Sequence, residues 1–464
     1  MIPGQATPGR RALSRAAMPF SRNQYLQAVE SPGGMEVYYT FCFLAAVSVF
    51  LGFLNQYVLR AQSTIAITAG ALALSLAVIG LGKLGVLDLR DWADQLLPLL
   101  NLEDLLLKGV LGFLLFAGSL HIDLLALRNQ RVEIAMLAIV GTLISTFVVA
   151  GLLYWLLPML GMQVAFVYCL LFGALISPTD PIAVLAIIKS LHAPEQVSIQ
   201  VEGESLFNDG FGIVLFTVIF AVAFEGGEPT VAAVSELFVM EAFGGIAMGL
   251  FIGGLFHWLI CATNDHSLEL LLTLCIPTAG FAFANIVGVS GALTMVVSGI
   301  IIGNFTRERG FSRVSQHELD NFWNITEEFL NGILFLLVGL FLITIDLGPF
   351  EFMLMGAAIV IVLLARVAAV TVPFTVLKRF RRYHPYSERI LIWGGLRGGL
   401  ALALAMSIPA GHLLVQGEDL RHLWVVMTYG VVVFSIVVQG STIAPLIRRS
   451  RGIREPEAMA AADT

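Results

Sequence analysis

This chain should fold as an all-α polytopic membrane protein, and three observations say so. Apolar stretches of about 20 residues, the length a bilayer-spanning helix needs, recur almost from end to end. Only 13% of the 464 residues are charged, where a soluble domain carries roughly a quarter, and the mean hydropathy is +0.87. Two of the apolar stretches, at matching places in the two halves, are interrupted by Pro or Gly around a charged residue, the mark of an inverted-repeat architecture with a site at the membrane midplane.

About thirteen transmembrane helices are expected, near residues 36–58, 63–82, 104–121, 132–158, 164–189, 196–225, 234–260, 267–287, 290–304, 321–346, 350–377, 386–410 and 423–447. An interfacial helix over 89–103, DLRDWADQLLPLLNL, leads into the third. The chain thus divides into an N-terminal tail (1–35), a transmembrane domain (36–447) and a short C-terminal tail (448–464). Residues 1–34 carry Arg10, Arg11, Arg15 and Arg22 with no apolar run at once behind them, so no signal peptide is expected. Cys42, Cys169, Cys261 and Cys275 all fall in apolar stretches, which points to free thiols.

An odd number of spans places the two ends on opposite sides. Loop Lys and Arg divide fifteen to seven, the larger share lying with Arg60, Arg128, Arg131, Lys189 and the C-terminal arginines. By the positive-inside rule the C-terminus is cytoplasmic, which leaves the Arg-bearing N-tail outside, where the rule disfavours it. No basic domain is large enough to suggest nucleic acid as a partner, and the net charge of −7 says little, because topology follows loop Lys and Arg and not net charge.

The fifth span reads ISPTDPIAVL over 176–185. Pro178 and Pro181 cannot donate to the carbonyls of Ala174 and Ser177, so two backbone oxygens are freed at mid-span. Such backbone survives only where it lines protein or water. Pro181 suits the first turn of a new half-helix, with Thr179 or Asp180 as cap. Hydroxyl, carboxylate and freed carbonyls together make a hard-cation ligand set. A proline kink capped by Asp180 would be the plain reading, but it leaves a costly intramembrane carboxylate without purpose.

The sixth span carries VEGESLFNDGFG over 201–212. Ser205 and Asp209 stand i, i+4 on one helix face, and Glu204 and Asn208 form a second stripe about 100° away. One stripe should face an ion and the other a structural partner. The twelfth span, IWGGLRGGLALALAMSIP, places Arg397 among Gly394, Gly395, Gly398 and Gly399. A mid-membrane cation needs a counter-charge, and the Glu204 stripe offers one. Glycines that merely let helices approach closely are the alternative for this segment.

SPTDP, GESLFND and GGLRGGLALAL, in that order, resemble the motifs of the cation/proton antiporter-1 family, the Na⁺/H⁺ exchangers of the NhaP type. The likeness runs from about residue 36 onward and includes FAGSLHIDL (116–124), FWNITEEFLNGILFLLVG (322–339) and LLARV (363–367). It implies the NhaA/NhaP-like antiporter fold: inverted six-helix repeats, two crossed broken helices, and a homodimer with a dimerisation domain and a core domain in each protomer. By motif it implies Asp209, Asp180, Ser205 and Thr179 as ion ligands, Asp123 as an acid reaching the ion through water, and Glu204 and Asn208 as the residues holding Arg397. Asp123 stands where the related pattern has the longer Glu.

Other polar residues read differently. Asp123 and His121 close the third span, where snorkelling to the interface is an equal account. Arg366 needs an acid, with Glu327, Glu328 and Glu241 as candidates. His257 reads as packing or interfacial rather than a proton relay. Gly203–Glu204–Ser205 lacks the GxSxG elbow and a His partner, so a hydrolase is rejected. No cofactor motif is present.

The resulting expectation is a secondary antiporter of the plasma membrane, not an enzyme. It would exchange Na⁺ or Li⁺ (K⁺ is not separated from them by sequence) for H⁺ in sodium and pH homeostasis, with Asp209 and Asp180 holding either cation or proton. Asn208 cannot titrate, and the resemblance places a second aspartate there in the electrogenic branch, so electroneutral one-for-one exchange is expected. The rival is a sodium symporter for organic anions or bile acids, which would want more cationic or aromatic groups near the breaks. A channel would need filter loops or charged rings, and a receptor a sizeable soluble domain.

Overall fold

The computed structural model describes residues 32–58, 60–84, 105–191, 193–224, 230–345, 348–381, 383–411, 413–415 and 417–450. The interfacial helix expected at 89–103, most of the N-terminal tail and most of the C-terminal tail lie outside the described residues.

The chain is a succession of apolar helices. They are α1 (Pro32–Tyr57), α2 (Ser63–Lys83), α3 (Leu105–Leu120), α4 (Leu124–Asn129), α5 (Arg131–Met159), α6 (Phe166–Ile176), α7 (Ile182–Ser190) and α8 (Glu195–Phe224). There follow α9 (Val231–Cys261), α10 (His266–Val287), α11 (Gly291–Ile301), α12 (Arg313–Leu340), α13 (Pro349–Leu377), α14 (Ser387–Gly394), α15 (Gly399–Met406) and α16 (Leu420–Ser450). Among the described residues eight helices are long and apolar enough to cross a membrane singly, and the bent pair α14–α15 makes a ninth. α3 and the two halves α6 and α7 are shorter. A two-stranded antiparallel ladder, Leu414–Val415 with Glu418–Asp419, departs from the all-helical expectation in the loop before α16.

Helix ends follow ordinary capping chemistry. Thr230, Asp265, Ser290 and Ser312 each accept a bond from a first-turn N–H of the helix they precede, satisfying donors that would otherwise be orphaned. Gly288, at φ 79°, closes α10 in the left-handed conformation that glycine adopts without strain.

Six rods pack mutually: α5, the α6–α7 pair, α8, α13, the α14–α15 pair and α16. Their shared apolar core includes Phe172, Trp424, Leu153 and Val362. The other helices assemble beside them, α2 and α1 along α12, and α3, α9 and α10 around α11. α12 touches both groups, packing along α2 and against α15. Large apolar side chains stay exposed along α1 (Phe43, Phe50, Phe53) and α9 (Phe243, Phe251, Trp258), on a surface that in water would be untenable and in lipid is ordinary.

Candidate ion-binding site

The site begins with α8. Its helical spacing separates two stripes. Glu204, Ser205 and Asn208 are all buried, and of the four polar residues Ser205 and Asp209 line a cavity of about 720 Å³ while Glu204 and Asn208 do not. The sequence spacing foretold that separation.

The α6–α7 chain breaks at Ser177–Pro181, and α14–α15 breaks at Gly395–Gly398, where its halves are bent by 42°. The breaks meet: the Asp180 N–H donates to the Leu396 carbonyl at 2.9 Å. Each break thereby satisfies a backbone group of the other. A Cβ on Gly398 would overlap the Asp180 carboxylate, and one on Gly395 would overlap the Arg366 guanidinium, so these two glycines make the crossing sterically possible. Asp180 Oδ1 accepts from the Ile182 N–H at 3.0 Å and caps α7, as the SPTDP break suggested, although Pro181 stands just before the helix and not within its first turn.

Asn208 and Ser205 hold the extended segment. Asn208 accepts from the Thr179 N–H (3.2 Å) and donates to Thr179 Oγ1 (2.8 Å). The Ser205 hydroxyl donates to the Thr179 carbonyl. Having given its proton there, the Ser205 oxygen keeps its lone pairs for a cation. Asp180, Asp209, Ser205 and the Thr179 carbonyl therefore lie together, three oxygen types on two elements. Asp209 borders the same cavity as Asp180 and Ser205.

The cations are partnered otherwise than expected. Glu204 and Asn208 do not hold Arg397. Glu204 instead takes a bidentate bond from Arg366 of α13, at 2.5 and 2.9 Å, and Arg366 also donates twice to the Leu391 carbonyl (3.0 and 2.7 Å). Four of the five N–H donors of that planar fork are used, which is how a buried pair offsets its desolvation cost. Arg366 thus pairs with Glu204 and not with Glu327, Glu328 or Glu241. Arg397 is 1% exposed and donates to the Pro178 carbonyl at 3.3 Å. Its Nε and Nη2 have no hydrogen-bond partner among the described residues. With Glu204 committed to Arg366, the acids left at the crossing to offset its charge are Asp180 and Asp209.

Asp123 does not join the group. It is exposed and caps α4, accepting from the Leu125 and Ala126 N–H groups at 2.7 and 3.2 Å. A side chain spent on a helix N-terminus outside the cavity is not a ligand in this conformation. His121 does line the cavity. His257 bonds Thr306 at 2.9 Å, away from it. The sequence argument overlooked the outer cavity wall, where Lys189 faces Glu202 at 3.9 Å and α12 contributes Asn324, Glu327, Glu328 and Asn331. The signal was present in NITEEFLN, whose polar residues recur every three or four positions on one face.

The profile of the family described as "Sodium/hydrogen exchanger, transmembrane" matches residues 97–449. The chain is 42% identical over 411 residues to the Na⁺/H⁺ antiporter NhaP of Pseudomonas aeruginosa, covering 87% of this chain and 95% of that protein. It is 34% identical over 383 residues to the Na⁺/H⁺ antiporter NhaH of Halobacillus dabanensis, covering 82% and 91%. Among solved structures, the sodium proton antiporter MjNhaP1 of Methanocaldococcus jannaschii at pH 8 superposes with a TM-score of 0.71 at 18% identity, over 91% of this chain and 100% of that one. At that identity the likeness concerns the fold.

Proposed function

Because this chain belongs to the sodium/hydrogen exchanger family, we propose a mechanism in which Asp209 and Asp180 bind either one Na⁺ or one H⁺. The activity is Na⁺/H⁺ antiport, and the organic-anion symporter reading is set aside, since the whole-length relatives are antiporters. The observation that carries the mechanism is the charge left at the crossing. Glu204 and Arg366 cancel in a bidentate pair. What remains is Asp180, Asp209 and the buried Arg397, a net charge of −1 when both acids are ionised. One Na⁺ neutralises that group, and so does one proton. A second positive charge would leave an uncompensated cation in a low-dielectric interior, at a cost of several kcal/mol. Occupancy by Na⁺ and by H⁺ is therefore exclusive, and exclusive occupancy couples the two fluxes.

The ligand shell comprises both carboxylates, the Ser205 hydroxyl and the Thr179 carbonyl, oxygens that suit a hard alkali cation. Li⁺ fits the same set. The cavity opens where the exposed Lys189, Asn324 and Glu328 lie, the side richer in Lys and Arg, so this conformation faces the cytoplasm. The six mutually packed rods would move as a body against the remaining helices to expose the site to the other side. A homodimer in the plasma membrane, with the C-terminus cytoplasmic, completes the proposal; its support is the family resemblance and the Lys/Arg asymmetry.

The test is purified protein in liposomes containing a pH-sensitive dye, pulsed in turn with Na⁺, Li⁺, K⁺ and choline. Na⁺ and Li⁺ should each drive proton movement, and choline none. Proton movement indifferent to the cation supplied would sink the mechanism.

A further inference from the structure

The wall of the cavity opposite α8 carries a polar stripe that the exchange mechanism does not use. Asn324, Glu327, Glu328 and Asn331 of α12 stand three or four residues apart, so they share one face, and all four line the cavity. Their exposure falls along the helix. Asn324 and Glu328 are exposed, Glu327 is half-buried, and Asn331 is 6% exposed. Beyond Asn331 the wall turns apolar at Leu334 and Phe335. α8 lines the same cavity with Glu202, Ser205 and Asp209.

Asn331 is the informative residue. Its Oδ1 is buried and has no hydrogen-bond partner among the described residues, although it borders the cavity. A buried carbonyl-type oxygen left unmatched is costly unless something in the cavity meets it. An amide oxygen one helical turn inward of a carboxylate is a pair of hard ligands. Glu327 lines the same cavity as Lys189, Glu202 and Asp180, so its charge acts on the volume that leads to the inner site. Lys189, the one cation near it in that set, is engaged with Glu202 at 3.9 Å.

We propose that Glu327 and Asn331 form an outer staging site for a monovalent cation, on the path between the cavity mouth and the Asp180–Asp209 pair. The inference rests on the exchange reading above. The Glu327 carboxylate draws the cation from solvent, and the Asn331 oxygen replaces part of its hydration shell before it reaches the crossing. The site differs from a diffuse negative field, because a neutral amide takes part in it.

The experiment uses full-length protein in liposomes, with Na⁺-driven proton flux recorded over a range of Na⁺ concentrations for wild type, Glu327→Gln, Asn331→Leu and Asn331→Ala. Loss of one carboxylate from a focusing cavity should raise the KM for Na⁺ about tenfold. Both Asn331 variants should raise it about threefold or more, with a smaller fall in the rate at saturating Na⁺. Thermal melting in detergent checks that each variant is folded, and Asn331→Ala serves if the leucine does not fit. If Glu327→Gln raises KM only at low ionic strength and neither Asn331 variant moves it, the wall is a screened field and the staging site is overturned. Unchanged KM in all three variants overturns it as well. Failure of wild type to exchange Na⁺ for H⁺ would instead refute the underlying reading, so the two failures are distinguishable.

Discussion

Asp209 and Arg397 act as one charged unit, and substitutions at the crossing should divide by which part of it they touch. Asp209→Asn keeps the shape and removes the titrating charge. With Arg397 still cationic, the group has net zero charge before any ion arrives, so neither Na⁺ nor H⁺ gains by binding. Exchange should fall to background in liposomes while expression and melting temperature are maintained; exchange at the wild-type rate would contradict the assignment. Asp180→Asn removes the carboxylate but leaves an amide oxygen able to accept from the Ile182 N–H, so the cap on α7 survives in part. By the same charge count the group is left at net zero, so exchange should fall sharply, with a raised KM for Na⁺ and little lost stability. If KM is unchanged, Asp180 is only a cap. Competition also has a pH signature: acidifying both sides should raise the KM for Na⁺ without lowering the maximal rate.

Stability rests on a different residue from the one the sequence suggested. Two buried arginines compete for one buried glutamate, and charge alone does not say which wins. Geometry decides it: Arg366 reaches Glu204 with both Nη atoms, whereas Arg397 turns to the Pro178 carbonyl. Arg366→Ala should therefore cost roughly 3–5 kcal/mol by stranding Glu204. A thermal melt in detergent should show a clear drop, and Glu204→Gln in the same chain should recover part of it. A normal melt for Arg366→Ala would contradict the pairing.

At the scale of the element, the sequence was most legible where a rule was locally broken. Two prolines around an aspartate and four glycines around an arginine announced two helix breaks, and both breaks are present. The i, i+4 spacing in GESLFND separated the stripe that lines the cavity from the one that does not. What could not be read was how the breaks meet, because the Asp180–Leu396 bond joins residues over two hundred positions apart. Asp123 failed as a ligand for a local reason: α4 begins at the next residue, and its first-turn N–H groups take the carboxylate. Asn331 was overlooked because one amide in an apolar run resembles ordinary helix polarity until its neighbours on the cavity wall are seen.

The glycines give the crossing a direct test. Gly398→Ala places a methyl group where the Asp180 carboxylate lies. Exchange should fall by about tenfold or more, since a displacement on the order of 1 Å at a site can cost a factor of a hundred. Gly356→Ala, on an exposed face of α13 with no atom within 4 Å of the added carbon, should instead leave transport intact and stabilise slightly. Equal transport by the two variants would mean that the crossing tolerates displacement.

For the whole molecule, the consequence of a crossing with net charge −1 is the stoichiometry. The site is neutral with Na⁺ bound and neutral with H⁺ bound, so both loaded forms cross the membrane without moving charge. Asn208, spent on Thr179, adds no titrating group. The most direct measurement is the null point of proton flux in proteoliposomes under a potential set by K⁺ and valinomycin. A net charge moved across 100 mV is worth ~2.3 kcal/mol, enough to displace the null point by more than tenfold in Na⁺ ratio. The charge balance at Asp180, Asp209 and Arg397 predicts a null point fixed where the Na⁺ and H⁺ ratios are equal, at every potential. A null point that moves with voltage would contradict it.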